Sequence, residues 1–568
     1  MATGEWETGA VPLERTVDVV VVGTGAGGLT AALLARSEGL EVLVLEKSEH
    51  IGGTSAWSGG VIWAPDNHLM HAAGVADSAE DGLAYLEAVV GDGGPATTTA
   101  RKRAYVETIP DMLRFLERLG MEWAYADGAI DYYPEAPGGM GSRGRSINAC
   151  MFDTRELGDW EPWFRPQKEG AVFPVVLAHY AEAPPMATML RSVRGARVAA
   201  KVVARTVWAL ATRKHLVSLG QSLMARLLLV ARRQGIEIWR ATPATDLIVT
   251  DGRVTGVTAR RHGSTVRISA RHGVLLVAGG YAHNTPMRKE WRDPADGDWS
   301  LVIPEDTGDM ITAAQRHGAA TDLMDEAIWT PVSMTPEGAP VAHLWERWLP
   351  HAIIVDAGGS RYCNESTSYM AVGQAMYERD AVSPAIPSWL VIDSRHRRRY
   401  PFGGALPGIT PKSWISSGYM KRADTIEDLA RQCGIPAGAL AATVERFNAF
   451  AAAGVDDDFG RGSSRFDLYF HDPTVKPCPV LGSIARPPFY AVAVYPGDVS
   501  TYGGLVTDEH ARVLRSDGSV IEGLYAAGST AASVCGHRYP GAGIAIGGSA
   551  VFGYLGAQHI VAAARDGA

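Results

Sequence analysis

The sequence predicts an α/β chain whose parallel sheet is begun, interrupted by an insertion, and resumed near the C-terminus. Three apolar segments carry that prediction. Residues 17–22 are nearly all valine, as a strand buried on both faces requires. Residues 274–280 form a second such run, ending in the glycine pair Gly279 and Gly280, and residues 523–528 form a third. Strands of one sheet lying so far apart in sequence imply an inserted α+β domain, placed at 329–492, within a sheet-forming domain made of 1–328 and 493–568. At 568 residues the chain is long enough for two such joined domains.

The first segment continues into Gly23-Thr24-Gly25-Ala26-Gly27-Gly28, then into a helical stretch over 29–37 and a short strand over 41–45 that ends at Glu46. This is a complete β–α–β unit, and its glycines have distinct tasks. Gly23 permits the tight turn, Gly25 lets backbone approach a pyrophosphate, and Gly28 lets helix and strand pack closely. The helix N-terminus offers unpaired N–H groups to the anion. Glu46, followed by Lys47, stands where a carboxylate can accept from a ribose diol, so the unit predicts a bound dinucleotide. This pattern alone does not separate NAD from FAD. Residues 52–60 add a charge-free loop in which Gly53, Thr54, Ser55, Ser58, Gly59 and Gly60 can lie flat against an isoalloxazine or a diphosphate. The end of the third strand, Ala526-Ala527-Gly528-Ser529, suits a ribityl chain.

Composition narrows the class. Charged residues are 20% and hydrophobic ones 46%, as in a globular protein. A net charge of −9 argues against general nucleic-acid binding, which needs a basic surface. The five cysteines are scattered without a C-x-x-C pair, which predicts reduced thiols in a cytoplasmic protein. Residues 1–18 carry acids and no long apolar run, so no secretory leader is expected. Residues 539–564 hold no Lys, Arg, Asp or Glu but are dense in glycine, and read as a helix buried against a cofactor in preference to a membrane span.

Between Ala183 and Gln234 stand Arg191, Arg194, Arg197, Lys201, Arg205, Arg213, Lys214, Arg226, Arg232 and Arg233, and no acid at all. Two readings stay open. One is a helical hairpin packed on the sheet with its basic face in water; the other is a membrane-surface or partner-docking element. The run Arg395-His396-Arg397-Arg398-Arg399 reads as a solvated basic patch. In the inserted region Asp424 and Glu427 have capping-box spacing, and Pro436 opens a further helix. No His, Asp and Glu cluster has metal-ligand spacing, and no Ser–His–Asp pattern reads as a nucleophile.

Taken with residues 131–139 (D-Y-Y-P-E-A-P-G-G), 364–369 (N-E-S-T-S-Y) and 536–543 (G-H-R-Y-P-G-A-G), these motifs resemble a known group. The chain is similar to the fumarate reductase/succinate dehydrogenase flavoprotein superfamily and, within it, to the 3-ketosteroid Δ1-dehydrogenases. The resemblance implies a Rossmann-like domain holding FAD non-covalently, with Ala244, Ala278, Gly279, Gly280, Gly528, Ala545 and Ile546 among the cofactor contacts. It implies that Tyr369 removes a proton from C2 of a 3-ketosteroid while C1 gives hydride to flavin N5. Tyr132 would assist, with Tyr133 as the alternative, and Tyr539 through its hydroxyl and Gly543 through its N–H would bind the ketone oxygen. Electrons would pass to an external, quinone-like acceptor.

The residue types make chemical sense on their own. Enolate formation needs donors aimed at the developing oxyanion. A phenol with an ordinary pKa near 10 acts as a base only when neighbours stabilise its anion. Arg538, beside Tyr539, departs from the steroid enzymes, and a fumarate reductase would use an arginine there to bind a carboxylate. Rival expectations are therefore a desaturase of a smaller cyclic ketone and a reductase of an unsaturated acid.

Overall fold

The structure, a computed structural model, describes residues 14–167, 177–291 and 299–566. The expectation about a leader concerns residues 1–18, most of which lie outside the described residues.

β1 (Glu14–Val22), α1 (Ala26–Ser37) and β2 (Val42–Leu45) form the β–α–β unit. Alternate residues of β1 feed different cores: Val19 and Val21 pack on one face of the sheet, Val17, Val20 and Val22 on the other. β3 (Glu237–Trp239) extends the sheet beyond β2. The antiparallel β4 (Ala244–Thr250) and β5 (Arg253–Arg261) lead into β6 (Ser264–Leu276), which pairs in parallel with β1.

The chain then builds a second, antiparallel sheet. Its strands are β7 (Ala327–Met334), β8 (Pro340–Ala342), β9 (Ala352–Val355), β10 (Ser388–Ile392), β11 (Met420–Ala423) and β12 (Phe489–Thr501). Their order is β8-β7-β12-β10-β9, with β11 also on β12. β13 (Arg512–Leu514) and β14 (Val520–Ala526) return to the first sheet, whose order becomes β13-β14-β6-β1-β2-β3.

Register decides where the site lies. Val22 stands opposite both Leu45 and Leu276, and Leu276 opposite Ala526. The carboxyl ends of β1, β2, β6 and β14 therefore share one edge, where ligands of open α/β sheets bind.

The basic segment becomes two helices with different surroundings, α2 (Val193–Ala211) and α3 (Leu219–Arg233). α3 is buried along almost its whole length, and Arg226 donates to the Cys150 carbonyl at 2.9 Å. On α2 Val203, Val207, Trp208 and Leu210 are at least half exposed, so the expected inward apolar face is corrected there.

Other expectations are corrected too. Arg395–Arg399 is no solvated patch, since Arg397 is buried and donates to the carbonyls of Leu406 and Ile409, while His396 bonds the Glu346 carbonyl at 2.9 Å. Asp393 caps that helix and pairs with Arg395 at 2.6 Å, which makes so dense a cationic run tolerable. The cap expected at Asp424 falls one residue later: Thr425 accepts from Asp428 N–H at 3.0 Å.

Two helices matter for the chemistry, α4 (Tyr369–Asp380) and α5 (Ile544–Asp566). α5 is apolar and long enough to cross a membrane, but most of it is buried in the protein. It crosses α1 backbone to backbone: a Cβ added at Gly27 would overlap the Ser549 carbonyl, and one at Gly553 would lie 2.5 Å from the Gly27 oxygen.

Candidate active site

Gly23, Gly25, Glu46, Lys47, Gly53, Thr54, Ser55, Ala244, Ala278, Gly279 and Gly528 line one cleft at the aligned strand ends. Gly23 has φ +110°, and a Cβ there would overlap the Val277 carbonyl. Gly25 precedes α1 without any side-chain cap, and no acid stands in the first turn, so the helix N-terminus is left to an anion. Ala26 N–H meets Ser55 Oγ at 3.2 Å, which ties the 52–60 loop to the helix start.

Glu46 is buried. Its Oε2 accepts from the Thr24 hydroxyl and its Oε1 from Ser48 N–H at 2.9 Å, while burial pushes the carboxyl above its ordinary range. Lys47 reaches Thr307 Oγ1 at 2.6 Å and Asp309 at 2.7 Å.

The remaining expected cofactor residues stand around the cleft or behind it. Ala26, Gly27 and Gly28 are buried in the first turn of α1, with Gly28 backed onto the Gly23 carbonyl. Gly60 abuts the Leu219 backbone, Gly280 abuts Thr501, and Gly59 faces the Tyr180 ring. Ser58 borders a neighbouring apolar cavity. Ala545 lines a small pocket with Gly528, and Ile546 is half-buried in the first turn of α5.

FAD fits this cleft on two structural grounds. The first is the start of α1 at Gly25, which lines the cleft with no capping side chain of its own and no acid in the first turn, as a diphosphate requires. The second is Asp306, which sequence reading missed. Its Oδ1 is buried without a partner among the described residues, and burial beside Asp498 pushes its pKa up to about 8. A protonated carboxyl at the cleft wall suits a hydroxyl-rich ligand, since an unpaired buried polar atom is costly.

A cluster of phenols stands beyond the cleft. Tyr369 is the common member, with ring centroids 5.9 Å from Tyr132 and 5.2 Å from Tyr539, and Tyr132 and Tyr539 are 5.5 Å apart. Gly543 N–H donates to the Tyr539 hydroxyl at 3.3 Å, so the two groups expected to bind the ketone oxygen stand side by side. Burial pushes the Tyr369 phenol well above its ordinary value, and its phenolic neighbours push it further. Interaction with Tyr369 works the other way on Tyr132 and Tyr539, holding each down against burial. Tyr180 adds a fourth phenol beside Tyr132, and Phe466 packs on Tyr132 at 4.3 Å. Both were missed, since each lies in a segment without a telling motif.

Three loops bring these rings together, and each is tied down internally. Tyr132 N–H and the Tyr85 hydroxyl both bond the Pro540 carbonyl, at 2.9 and 2.6 Å, which couples the Tyr132 loop to that of Tyr539. Its neighbour Asp131 is buried against Arg145 at 2.6 Å and Trp63 at 2.7 Å. Gly543 has φ +89° and presses on the Val61 backbone, so only glycine fits there. Tyr369 opens α4, capped by Ser368, which accepts from Ala371 N–H at 3.2 Å. Arg347 holds the preceding loop through the carbonyls of Glu365 and Thr367, and Trp348 through that of Ser366. The Glu365 side chain is itself locked by Arg361 at 2.8 Å and Arg461 at 3.3 Å.

Tyr133 and Arg538 lie to one side. Tyr133 points to Ser368 and Arg538, and Arg538 is exposed. His537 is exposed as well and meets the buried Glu326 at 2.9 Å. Only Tyr132 of the neighbouring pair packs on the Tyr369 and Tyr539 rings.

Comparison with known proteins identifies the family. The FAD binding domain family model matches residues 18–546. A 3-oxosteroid 1-dehydrogenase of Mycobacterium tuberculosis is 43% identical over 96% of this chain and 98% of its own. A 4-oxocyclohex-2-ene-1-carboxylate 5-dehydrogenase of Sinomonas cyclohexanicum is 34% identical over 97% and 95%. The crystal structure of 3-ketosteroid Δ1-dehydrogenase from Sterolibacterium denitrificans, in complex with 1,4-androstadiene-3,17-dione, superposes with a TM-score of 0.91 at 37% identity, covering 96% of this chain and 100% of that one. The chain belongs to the FAD-dependent 3-oxosteroid 1-dehydrogenase family.

Proposed function

We propose that this protein is an FAD-dependent desaturase that places a double bond between C1 and C2 of a 3-ketosteroid, with Tyr369 as the base. The observation that carries the proposal is the convergence of Tyr369, Tyr132, Tyr539 and Gly543 N–H in one cluster. FAD, when bound, supplies the acceptor for the hydride leaving C1. Everything else falls to the chain. The Tyr539 hydroxyl and Gly543 N–H donate to the ketone oxygen and stabilise charge as it develops there, each such donor contributing about 3 kcal/mol. That grip acidifies the C2 proton, which Tyr369 takes.

A buried phenol is a poor base at rest. The N-terminus of α4 at Tyr369 supports its deprotonation, and the assisting phenol must turn its hydroxyl to the anion as it forms, a place that the Tyr132 ring, edge-on to Tyr369 at 5.9 Å, can fill. Of the two neighbouring tyrosines we therefore assign the assisting role to Tyr132. Reduced cofactor would hand its electrons to an external acceptor of quinone type. In the same reading 329–492 is an inserted substrate domain between the cofactor-binding parts 1–328 and 493–568, and the five free thiols support a reducing, cytoplasmic setting.

A steroid is favoured over a small ketone by the higher identity to a 3-oxosteroid 1-dehydrogenase, 43% against 34% for the cyclohexene-carboxylate enzyme. The cyclohexene-carboxylate relative supports a second reading, the same chemistry on a smaller ring. The test is anaerobic mixing of the yellow holoenzyme with 4-androstene-3,17-dione and with cyclohexanone-like ketones. Bleaching by the steroid supports the proposal; bleaching by the small ketones alone transfers the site to the second reading.

A further inference from the structure

We propose that Glu326 is a positioning residue that fixes the spacing between the base and the ketone grip. This rests on the proposed roles of Tyr369 and Tyr539. The proton removed and the oxygen gripped sit on neighbouring carbons of one rigid ring, so base and donors must keep a single separation. A displacement of about 1 Å at such a site costs up to about 100-fold in rate. Yet the two groups come from different sheets. Tyr369 opens α4, which packs on β7 of the antiparallel sheet, whereas Tyr539 stands in the loop that follows β14 of the parallel one.

On its own sheet α4 is firmly seated. A Cβ added at Gly373 would lie 2.2 Å from the Trp329 Cβ, and the Trp329 ring packs on that of Tyr377 at 4.8 Å. The loop has still to be tied to that helix, and Glu326, just before β7, does so. Its side chain is 4% exposed, and four groups converge on it. Ala327 N–H meets Oε1 at 3.1 Å together with Trp329 Nε1–H, which anchors the carboxylate to β7. Gln374 Nε2–H, from α4, meets Oε2 at 3.0 Å, and His537 Nδ1, from the loop, meets the same oxygen at 2.9 Å. The Gln374 amide also reaches the His537 carbonyl at 3.0 Å, which closes a triangle of helix, loop and carboxylate. The backbone adds a second thread. The Glu326 carbonyl accepts from Tyr502 N–H at 2.9 Å, and the Tyr502 carbonyl from Ser533 N–H at 3.0 Å, ahead of the turn that carries Tyr539.

A carboxylate suits this task, since each oxygen takes two donors at once and such bonds are shorter and stronger than those between neutral groups. His537 stands two residues before Tyr539, so the phenol follows any movement of that ring. His537 is half exposed and Gln374 is only partly buried, so either can be trimmed without opening the core.

The test is anaerobic single-turnover bleaching of the holoenzyme by 4-androstene-3,17-dione. His537→Ala, Gln374→Ala and Glu326→Gln should each slow it about ten-fold or more. Affinity for 1,4-androstadiene-3,17-dione, read from the shift of the oxidised flavin band, should stay within about two-fold of the parent, because the ketone moves with the loop that grips it and only its distance to Tyr369 changes. His537→Gln, which can still donate to Glu326, should regain most of the lost rate. Adding His537→Ala to Glu326→Gln should cost little more than Glu326→Gln alone, as for two groups acting through one joint.

The proposal is overturned if any of the three single variants bleaches at the parent's rate, or if the losses add in full in the double variant. It is overturned equally if flavin content and product affinity fall along with the rate, the mark of a loop that has merely loosened. Parent-rate bleaching by Tyr369→Phe would remove the mechanism on which the proposal rests, whereas parent-rate bleaching by His537→Ala beside a slow Tyr369→Phe removes the clamp alone.

Discussion

The cofactor cleft and the phenol cluster solve opposite problems. The cleft is made of absences: Gly23, Gly25, Gly279 and Gly528 keep side chains away so that backbone and helix N-terminus can approach the ligand. The cluster is made of presences, hydroxyls from Tyr132, Tyr369 and Tyr539 that must stand within a few ångströms although they come from three separate loops. Adding atoms should therefore break the first, and removing single atoms should break the second.

The largest effect is expected in the cleft. Gly23→Val puts a branched side chain at φ +110° against the Val277 carbonyl. The purified variant should lose its yellow colour on gel filtration and all turnover with it. In the cluster, Tyr539→Phe removes one atom and one donor to the ketone oxygen. Turnover should fall about 100- to 1,000-fold while the flavin spectrum stays intact, as steady-state kinetics would report.

The contrast also explains what could be read in advance. The cradle is local: Gly23 to Glu46 spans one β–α–β unit, and each residue's task follows from its neighbours in sequence. The burial of β1 on both faces followed from its valines in the same way. The phenols were legible only through resemblance, because an isolated tyrosine among nineteen says nothing of its partners. What holds them was not legible at all. Arg347 reaches the carbonyls of Glu365 and Thr367, and Arg461 reaches Glu365, across gaps that no periodicity records. Arg397 and His396 were misjudged for the same reason, since their burial depends on the loop at Leu406 and Ile409 folding over them. On α2 the helical period was visible, but period alone does not tell which stripe faces out.

A smaller effect sharpens the account of the cleft. Asp306 has a pKa raised to about 8 by burial, from an ordinary value of 3.8. The folded apoprotein thus holds a proton that the unfolded chain releases, so this group's contribution to stability is present in acid and is lost as pH rises towards 8. The melting temperature of the apoprotein should fall over that range, and Asp306→Asn should flatten the slope. The smallest effect is expected at Arg538, which is exposed and turned to Tyr133. Arg538→Ala should change steroid turnover by less than about three-fold, as for a surface substitution. Loss of turnover there would favour a carboxylate-binding site and the acid-reductase chemistry.

In the proposed mechanism one phenol strips C2 while two donors grip the ketone. Its most direct test is single-turnover bleaching of Tyr369→Phe holoenzyme by 4-androstene-3,17-dione under anaerobic conditions. The variant should bind flavin as the parent does and bleach at least about 100-fold more slowly, the loss expected when a general base is removed. Bleaching at the parent's rate would mean that the proton leaves by another route.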